Sequence, residues 1–362
     1  MRYPLGRRMA IRTRLGPTQG AKGGQPASTP RPDGSPRGPS LTDTVGEVVA
    51  VESDAVVVRT RGGEVRLALA DVVAARVIPP RPTRRGAPHR AISIEDLHLV
   101  MTKGNPGLET AWLGRPGGGW LLRAGGGWTG RANSVLPVGD PGMPDDDAVR
   151  EVVAWYRERE LVAHVMLPLP EHARWVDDPL GALLIAQGWF VSPPVLVMTG
   201  RSADLGSLPA GAARVESAAD LTEEWLAAAG PRVRGGGEVA QVVLTAPRDQ
   251  AFLLARDGDG APVGAARVAF DDGWAGVFGV HVRPDQRRRG VGAALTAAAG
   301  RIAQDRGVTL AYLQVERANT AAVALYERAG MDLHHHYAYL ALRPPTPPSP
   351  TPAPAPAGSE FP

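Results

Sequence analysis

The sequence has 362 residues, which is enough for roughly two or three domains with substantial cores. Its 40 basic and 37 acidic residues give a formal charge of +3, and so small a net charge does not by itself indicate a nucleic-acid partner. The absence of cysteine excludes a disulfide, a cysteine-ligated zinc and a thiol nucleophile. No apolar run approaches the roughly 18 residues of a membrane helix, and no signal-peptide core is present, so we expect a cytoplasmic protein without a membrane partner.

The N-terminal segment is rich in Gly, Pro, Ser and Arg and poor in apolar side chains. Residues 1–40 are therefore predicted to be a disordered basic arm. Their charges are dispersed along the segment, which favours an unstructured extension over an arm that contacts nucleic acid or a membrane. At the other end of the chain, residues 344–362 form a Pro-rich tail that we also expect to be disordered.

Residues 41–80 change to short segments in which apolar and polar residues alternate. Turn signals at Ser53-Asp54 and Arg61-Gly62-Gly63 separate them, as expected of hairpins. This pattern predicts a small SH3-like β-barrel, followed by a linker over residues 79–88. The stretch has no Trp, Tyr or Phe, which favours packing or dimerisation over peptide or nucleic-acid binding. The predicted strands are Val45–Val51, Ala55–Thr60, Glu64–Leu69 and Val72–Ile78.

The most informative stretch begins with an apolar strand that ends at Val282-Arg283-Pro284 and runs into a basic turn. Gly290 and Gly292 allow the backbone to approach a ligand closely, and an Ala/Leu-rich helix starts beside them. The first turn of a helix offers unpaired amide N–H groups and a partial positive charge. The stretch therefore predicts a phosphate site, although its spacing is neither that of a Walker A loop nor that of a Rossmann fingerprint.

This stretch resembles the acetyl-CoA loop of the GNAT (GCN5-related) N-acetyltransferases, [QR]-x-x-G-x-[GA], with Arg287, Gly290 and Gly292 in the defining positions. A second segment, Asn319 to Met331, resembles the family's N-x-x-A-x-x-L-Y-x-x-x-G-F and departs from it only by Met331 for Phe. The resemblance covers residues 210–343 and implies a catalytic GNAT domain there. The implied fold class is α+β (α/β), a mixed, mostly antiparallel sheet flanked by helices.

Residues 90–200 repeat the order of elements found in residues 210–343. The stretch Leu183 to Trp189 lines up with Leu325 to Met331, but Leu184 stands where the later copy has a tyrosine. No R-x-x-G-x-G precedes it. We expect a degenerate GNAT-like domain that binds no coenzyme and covers the substrate cleft of the second copy; an unrelated packing domain is the alternative.

The whole order of predicted domains, a small barrel, a degenerate GNAT-like domain and a catalytic GNAT domain, more loosely resembles an actinobacterial group. That group is described both as N-acetylglutamate synthases and as histone-type acetyltransferases. The resemblance implies direct transfer from acetyl-CoA to a primary amine in a ternary complex. The favoured acceptor is the α-amine of a small amino acid such as glutamate, and the alternatives are protein lysines or a CoA-binding sensor without turnover. An amino-acid pocket needs an arginine for the carboxylate, for which Arg131, Arg232 and Arg234 are candidates. The oligomeric state stays open, and we expect no nucleic-acid partner.

The resemblance also assigns roles to individual residues. Tyr326 would protonate the departing thiolate, although it is also suited to be a core aromatic residue. His281 and Glu316 are both candidates for the general base, and either is also suited to the surface. The residues implied to hold the coenzyme are Val280, Val282, Arg287, Arg288, Arg289, Gly290, Val291, Gly292, Ala293, Asn319 and Ala322.

Two further sequence patterns contain residue types that bind metal ions, but we expect no metal site at either. The sequence Asp257-Gly258-Asp259-Gly260 starts like a calcium loop but lacks the remaining ligands, so it predicts a turn. Consecutive residues of a strand point to opposite faces, so His334, His335 and His336 do not converge on one ion.

Overall fold

The computed structural model describes Tyr3 and residues 8–14, 41–60, 62–77, 87–209 and 213–342. Contacts divide the chain into two units. One comprises Met1–Pro106 and Val197–His334, and the other Gly107–Leu196 and His335–Pro362. The predicted Pro-rich tail, residues 79–86 of the predicted linker and most of the predicted basic arm lie outside the described residues.

A five-stranded antiparallel sheet lies near the N-terminus in the order β4-β3-β2-β1-β5. Its core includes Met9, Ile11 and Val58, which are fully or almost fully buried. An SH3-like barrel stays a prediction for this region. The strands are β1 Arg8–Arg14, β2 Leu41–Val51, β3 Ala55–Thr60, β4 Gly63–Ala68 and β5 Val72–Val77.

Strand β1 corrects the prediction that residues 1–40 are disordered throughout. Arg8–Arg14 pairs with β2 on one side and with β5 on the other. Its buried residues Met9, Ile11 and Thr13 alternate with arginines and an alanine that are more exposed. This is the period-two pattern of a strand. The composition of the surrounding segment hid it, because four of the seven strand residues are basic or polar in a Gly- and Pro-rich context.

Two helices follow, α1 Pro88–Ala91 and α2 Ile94–Gly104. Ser93 caps α2, as predicted, because its hydroxyl accepts a hydrogen bond of 3.0 Å from the Asp96 N–H. Both helices belong to the same unit as residues 197–334. The predicted degenerate domain over residues 90–200 therefore starts too early, since its first helix packs against the C-terminal sheet.

The C-terminal sheet of this unit runs in the order β11-β16-β15-β14-β13-β12. Strands β12 to β15 form an antiparallel meander, and β15 pairs with β16 in parallel. Residues of both parities are buried along most of β14, as expected of a strand covered on both faces. The strands are β11 Val195–Arg201, within which the unit boundary falls, β12 Arg214–Ala218, β13 Gln250–Arg256, β14 Pro262–Asp271, β15 Trp274–Val282 and β16 Leu310–Glu316.

Helices cover this sheet. The longest, α9, packs against β12 to β15, and both α6 and α2 pack against β14. Gly264 of β14 allows the close approach of α9, because an added Cβ would lie 3.2 Å from Val291 and 3.3 Å from Leu295. The helices are α5 Ser202–Gly206, α6 Glu223–Ala228, α7 Pro231–Arg234, α8 Gly237–Thr245, α9 Val291–Asp305 and α10 Thr320–Arg328.

The other unit has its own core, which includes Trp120, Val149, Tyr156 and Leu184. Strands β6, β7 and β8 form an antiparallel sheet. The last strand, β17, pairs antiparallel with β9 and β10. The elements are β6 Glu109–Leu113, β7 Trp120–Ala124, β8 Leu136–Pro137, α3 Asp145–Arg157, β9 His164–Leu169, α4 Pro179–Ala186, β10 Phe190–Val191 and β17 Asp332–Ala341, within which the second unit boundary falls. Over the described part of the chain, no helix combines the length and apolarity needed to cross a membrane.

Candidate functional site

The parallel strands β15 and β16 pair only over their first halves. Their paired residues run from Trp274 and Leu310 to Val277 and Leu313. Strand β15 nevertheless continues to Val282 and β16 to Glu316. A fork therefore opens between the second halves of the two strands, as the family resemblance implies. Along the fork, the backbone N–H and C=O groups form no β15–β16 ladder hydrogen bonds.

Strand β15 also carries a bulge just beyond the start of the fork. Along β14, Ala265 lies opposite His281 and Arg267 lies opposite Phe278, with a shift of register between them. Gly279 in the bulge has a φ of 60°, which glycine adopts without steric cost. A bulge bends the strand and leaves its extra residue outside the ladder. The main chain at Gly279 and Val280 is thus placed in the fork and released from regular pairing.

The basic turn after β15 ends in an open helix N-terminus. Gly290 is the N-cap of α9 with φ 81° and ψ 0°, and no side chain caps the helix. The first intrahelical bond joins the Ala294 N–H to the Gly290 carbonyl at 2.9 Å. The amides of Val291, Gly292 and Ala293 therefore have no acceptor within the helix. Together with the exposed arginines at 287–289, they offer the hydrogen-bond donors and the positive charge that an anion requires.

The two glycines of this turn are needed for different reasons. Gly290 requires glycine because its backbone is left-handed. An added Cβ at Gly292 would lie 3.7 Å from Leu325 and 3.8 Å from Val282, which are ordinary contacts, so protein packing does not demand glycine there. The space that it leaves lies beside the free amides and is open to a ligand.

Tyr326 lies on α10, one residue after the leucine that faces Gly292. Its side chain is buried, and burial raises the pKa of the phenol to about 12. Within the described part of the chain its hydroxyl has no hydrogen-bond partner. Asn319 caps the same helix and accepts a hydrogen bond of 3.2 Å from the Ala322 N–H. The cap thus uses the Asn319 oxygen and the Ala322 amide and leaves the Asn319 side-chain NH₂ for a ligand.

The two candidate bases both lie near α7. His281 is half-buried, and an added Cβ at Gly230 would lie 3.1 Å from its Nδ1. Desolvation lowers the pKa of His281, and the positive charges of Arg234 and Arg287 lower it further. Glu316 is exposed at the end of β16, where its Oε1 accepts a hydrogen bond of 3.3 Å from Arg232 Nη2. The segment from Gly230 to Arg234 therefore lies over the open end of the fork.

The three arginines considered for a carboxylate have different surroundings. Arg131 belongs to the other unit, where its Nε donates to the Tyr337 hydroxyl at 3.3 Å. Arg234 donates to the Ala229 carbonyl and so holds the turn before α7. Arg232 reaches Glu316 at the end of β16 and, with Arg234 near His281, lies at the open end of the fork.

Sequence reasoning missed a buried arginine next to the fork. Arg267 is 1% exposed and stacks on Phe278, with 4.8 Å from its Cζ to the ring centroid. Its guanidinium donates to the Gly104 carbonyl at 2.7 Å and to Asn105 Oδ1 at 2.6 Å. The one available signal was a single arginine inside the otherwise apolar stretch 263–270.

The candidate metal sequences have other partners. Asp257 Oδ1 accepts hydrogen bonds from the amides of Asp259 and Ala261, so the turn prediction is confirmed. His334 Nε2 lies 3.0 Å from the Ile92 carbonyl oxygen, and His336 packs its ring against Trp175. Among the described residues, no three His, Asp or Glu side chains are grouped to hold a metal ion.

Comparisons with known proteins agree with this geometry. A family model described as "Probable histone acetyltransferase Rv0428c C-terminal" matches residues 92–340. A mycothiol acetyltransferase of Clavibacter sepedonicus is 38% identical over 131 residues, which are 34% of this chain and 43% of that protein. The probable histone acetyltransferase Rv0428c of Mycobacterium tuberculosis is 32% identical over 145 residues, 39% of this chain and 43% of that protein. The chain thus spans less than half the length of these curated relatives.

A solved structure of a GCN5-related N-acetyltransferase from Kribbella flavida superposes with a TM-score of 0.51 at 20% sequence identity. The match covers 69% of this chain and 96% of that one. A match at this identity shows the fold alone. The chain has the GNAT fold, with a mixed, mostly antiparallel sheet flanked by helices, and the predicted fold class is confirmed.

Proposed function

Because the chain belongs to the family described as probable histone acetyltransferase Rv0428c C-terminal, we propose that it is an acetyl-CoA-dependent N-acetyltransferase. One observation carries the proposal. The strand fork leads directly to a helix whose first amides are open and flanked by arginines, and Tyr326 lies on the helix that faces this start. The diphosphate and the sulfur of a thioester coenzyme both have matching groups there.

The start of α9 is proposed to bind the diphosphate. The amides of Val291, Gly292 and Ala293 supply hydrogen-bond donors, and the helix dipole favours negative charge at this end. Arg287, Arg288 and Arg289 add positive charge at an exposed position. No metal is proposed, because main-chain amides and arginines are sufficient to neutralise a diphosphate.

The fork is proposed to hold the pantetheine arm and the thioester. Main-chain groups of Val280 and Val282 line it, and the bulge at Gly279 leaves an amide outside the ladder. An amide aimed at the thioester oxygen stabilises the oxyanion that forms as the amine attacks, and removing one such donor typically costs about 3 kcal/mol. Asn319 and Ala322 are proposed to contact the arm from the start of α10.

Tyr326 is proposed to donate to the sulfur as it leaves. A phenol with a pKa of about 12 stays protonated at every pH at which the enzyme would work. It is a weaker acid than a thiol, whose pKa is about 8.5. Tyr326 therefore acts chiefly by hydrogen bonding to the developing thiolate, and the proton that converts the thiolate into the thiol is the one that the attacking amine nitrogen loses as the amide forms.

His281 is proposed as the general base, with Glu316 as the second candidate. Desolvation and nearby arginines keep the imidazole of His281 neutral near pH 7, which is the form that accepts a proton. The same positive field lowers the pKa of an incoming ammonium group and so assists its deprotonation. Without cysteine in the chain, transfer is proposed to be direct within a ternary complex.

We infer that the acceptor is the α-amine of a small amino acid such as glutamate. Arg232 supports this, because it is 74% exposed in a pair with Glu316 that is itself 58% exposed. Exposed ion pairs contribute only about 0–1 kcal/mol, so a substrate carboxylate can replace Glu316 at small cost. The second candidate is a protein amine, which the family description favours, since both the family and one relative are named as probable histone acetyltransferases.

The test uses the full chain with acetyl-CoA and two acceptors, glutamate and a lysine-rich histone, with thiol release and product mass as readouts. Turnover on glutamate that falls at least tenfold in Arg232→Gln supports the amino-acid acceptor. Turnover on the histone with none on glutamate establishes the protein acceptor. Tight acetyl-CoA binding without acetylation of either, or of simple amines, overturns the enzymatic proposal in favour of a coenzyme sensor.

A further inference from the structure

The point at which β15 and β16 part is occupied by two packed aromatic rings. Phe278 follows the last paired residue of β15, and Tyr312 precedes the last paired residue of β16. Their rings meet edge to face with 5.9 Å between centroids, and both side chains are buried. The β15–β16 pairing therefore ends at a packed contact between the Phe278 and Tyr312 rings.

Arg267 fixes the Phe278 side of this contact. It lies opposite Phe278 in the β14–β15 register, immediately before the bulge, and its guanidinium stacks on the ring. Besides its bonds to Gly104 and Asn105, it donates to Gln250 Oε1 at 2.8 Å. A planar guanidinium with several bonds in a buried site is held in one orientation.

The end of α2 completes the arrangement from outside the sheet. An added Cβ at Gly104 would overlap the Phe278 ring and the Tyr312 hydroxyl, so the helix end approaches as closely as glycine allows. Asn105 follows it and accepts from Arg267. We use the name fork cluster for Gly104, Asn105, Arg267, Phe278 and Tyr312.

We propose that the fork cluster positions the bulged residues Gly279 and Val280 for the thioester carbonyl, with Arg267 and Asn105 as its positioning residues. Gly279 is itself exposed and has no Cβ to restrain it, so the bulge depends on Phe278 for its place. The inference rests on the proposed function. It predicts that loosening the cluster impairs acyl transfer while coenzyme binding at α9 is retained, because the anion site is built from other residues.

The test variant is Asn105→Ala, which removes one acceptor and leaves Arg267 bound to Gly104 and Gln250. We expect kcat for acetyl transfer to fall about tenfold, since small misplacements of reacting groups cost up to about 10²-fold. The Kd for coenzyme A, measured by calorimetry, stays within about twofold. Asn105→Asp keeps an acceptor oxygen and is expected to recover most of kcat.

Lys103→Met is the matched control. Lys103 lies on the same turn of α2, and its ammonium pairs with Asp272 at the tip of the β14–β15 hairpin, away from the fork. It is expected to lower stability without changing kcat. An equal loss of kcat in Lys103→Met and Asn105→Ala, or an unchanged kcat in folded Asn105→Ala, overturns the proposal.

A readout without an acceptor separates this inference from the proposed function. Acetyl-CoA and coenzyme A differ by the acetyl group, which carries the thioester carbonyl, so the ratio of their Kd values reports how well the fork holds that group. If the chain acetylates no amine, the proposed function fails, while a preference for acetyl-CoA that is lost in Asn105→Ala still supports the fork cluster. If the ratio is the same in both proteins, the cluster does not position the thioester.

Discussion

The starts of α9 and α3 show how two similar pieces of chain differ in what they can bind. Both helices begin after a turn and lack a side-chain cap. Helix α9 begins at a left-handed glycine preceded by three arginines. The N-cap of helix α3 is Pro144, and the first three residues of the helix, Asp145, Asp146 and Asp147, are acidic. Aspartates suit a helix dipole, but they occupy the place of a phosphate. The start of α9 therefore has no negative charge of its own, whereas the start of α3 already has three carboxylates.

Helices α10 and α4, each with the turn that follows it, resemble each other more closely than α9 and α3 do. In α10 and the turn after it, the Met331 N–H bonds to the Tyr326 carbonyl at 3.0 Å, and in α4 the Trp189 N–H bonds to the Leu184 carbonyl at 3.0 Å. Gly330 and Gly188 are left-handed in both, as in a Schellman motif. The backbone is preserved, and the phenol is replaced by an alkyl group. Local structure thus repeats where the chemistry does not.

The largest effect is expected from removing the phenol of Tyr326, whose equivalent in the other unit is Leu184. Tyr326→Phe keeps the packing and deletes the proposed donor to the thiolate. We expect kcat for acetyl transfer to fall by about 10²–10³-fold, the range for loss of one hydrogen-bond donor to the charge that develops in the transition state, with little change in the Kd for acetyl-CoA. Steady-state kinetics and calorimetry give both numbers.

The control for Tyr326→Phe is Tyr156→Phe in the other unit. The Tyr156 hydroxyl donates to the Arg123 carbonyl at 2.8 Å. Its loss is expected to cost about 1 kcal/mol of stability and to leave acetyl transfer unchanged. If Tyr326→Phe behaves like Tyr156→Phe, Tyr326 is a core residue and not part of the chemistry.

A second change gives α9 the acidic start of α3. Gly292→Asp introduces a carboxylate beside the free amides, and two charges about 4 Å apart interact by about 1–4 kcal/mol in the range from bulk water to a protein surface. We expect the Kd for coenzyme A to rise at least tenfold. Gly292→Ala adds a Cβ in ordinary contact with the protein but no charge, so it is expected to raise the Kd less than Gly292→Asp does, through the space that the Cβ takes from the ligand. Equal affinities for the two variants would show that no phosphate lies at this helix start.

The pH dependence of the reaction distinguishes the two candidate bases. Desolvation, with Arg234 and Arg287, lowers the pKa of His281, so the neutral base persists to lower pH than in a free imidazole. If His281 is the base, kcat/KM rises with pH through a midpoint below the ordinary value of about 6.5. His281→Gln should abolish this limb, whereas Glu316→Gln should retain it. A limb that vanishes only in Glu316→Gln assigns the base to Glu316.

Much of the fold was predictable from the sequence, and so were the residues that we propose as an anion site, because the signals of both are local. Glycines, a proline and a basic turn within a dozen residues define the start of α9, and β3 has the bounds predicted for it, Ala55–Thr60. Arg267 is different, since its partner Gly104 lies 163 residues earlier. No local pattern indicates a buried arginine whose acceptors come from a distant helix. The same distance explains why the sequence placed α2 in the wrong domain.

The smallest expected effect tests whether the repeated turns are equivalent in stability. Gly188→Ala and Gly330→Ala each place a Cβ on a left-handed residue, with φ values of 80° and 73°. An added Cβ meets nothing within 4 Å at Gly188 and lies 3.4 Å from Asp204 at Gly330. Neither site clashes, so both variants should lose about 1–2 kcal/mol from backbone strain alone, seen as similar shifts in urea unfolding. Only Gly330→Ala should also slow acetyl transfer, because that turn holds Tyr326. If Gly188→Ala also slows acetyl transfer, the effect of Gly330→Ala cannot be assigned to the position of Tyr326.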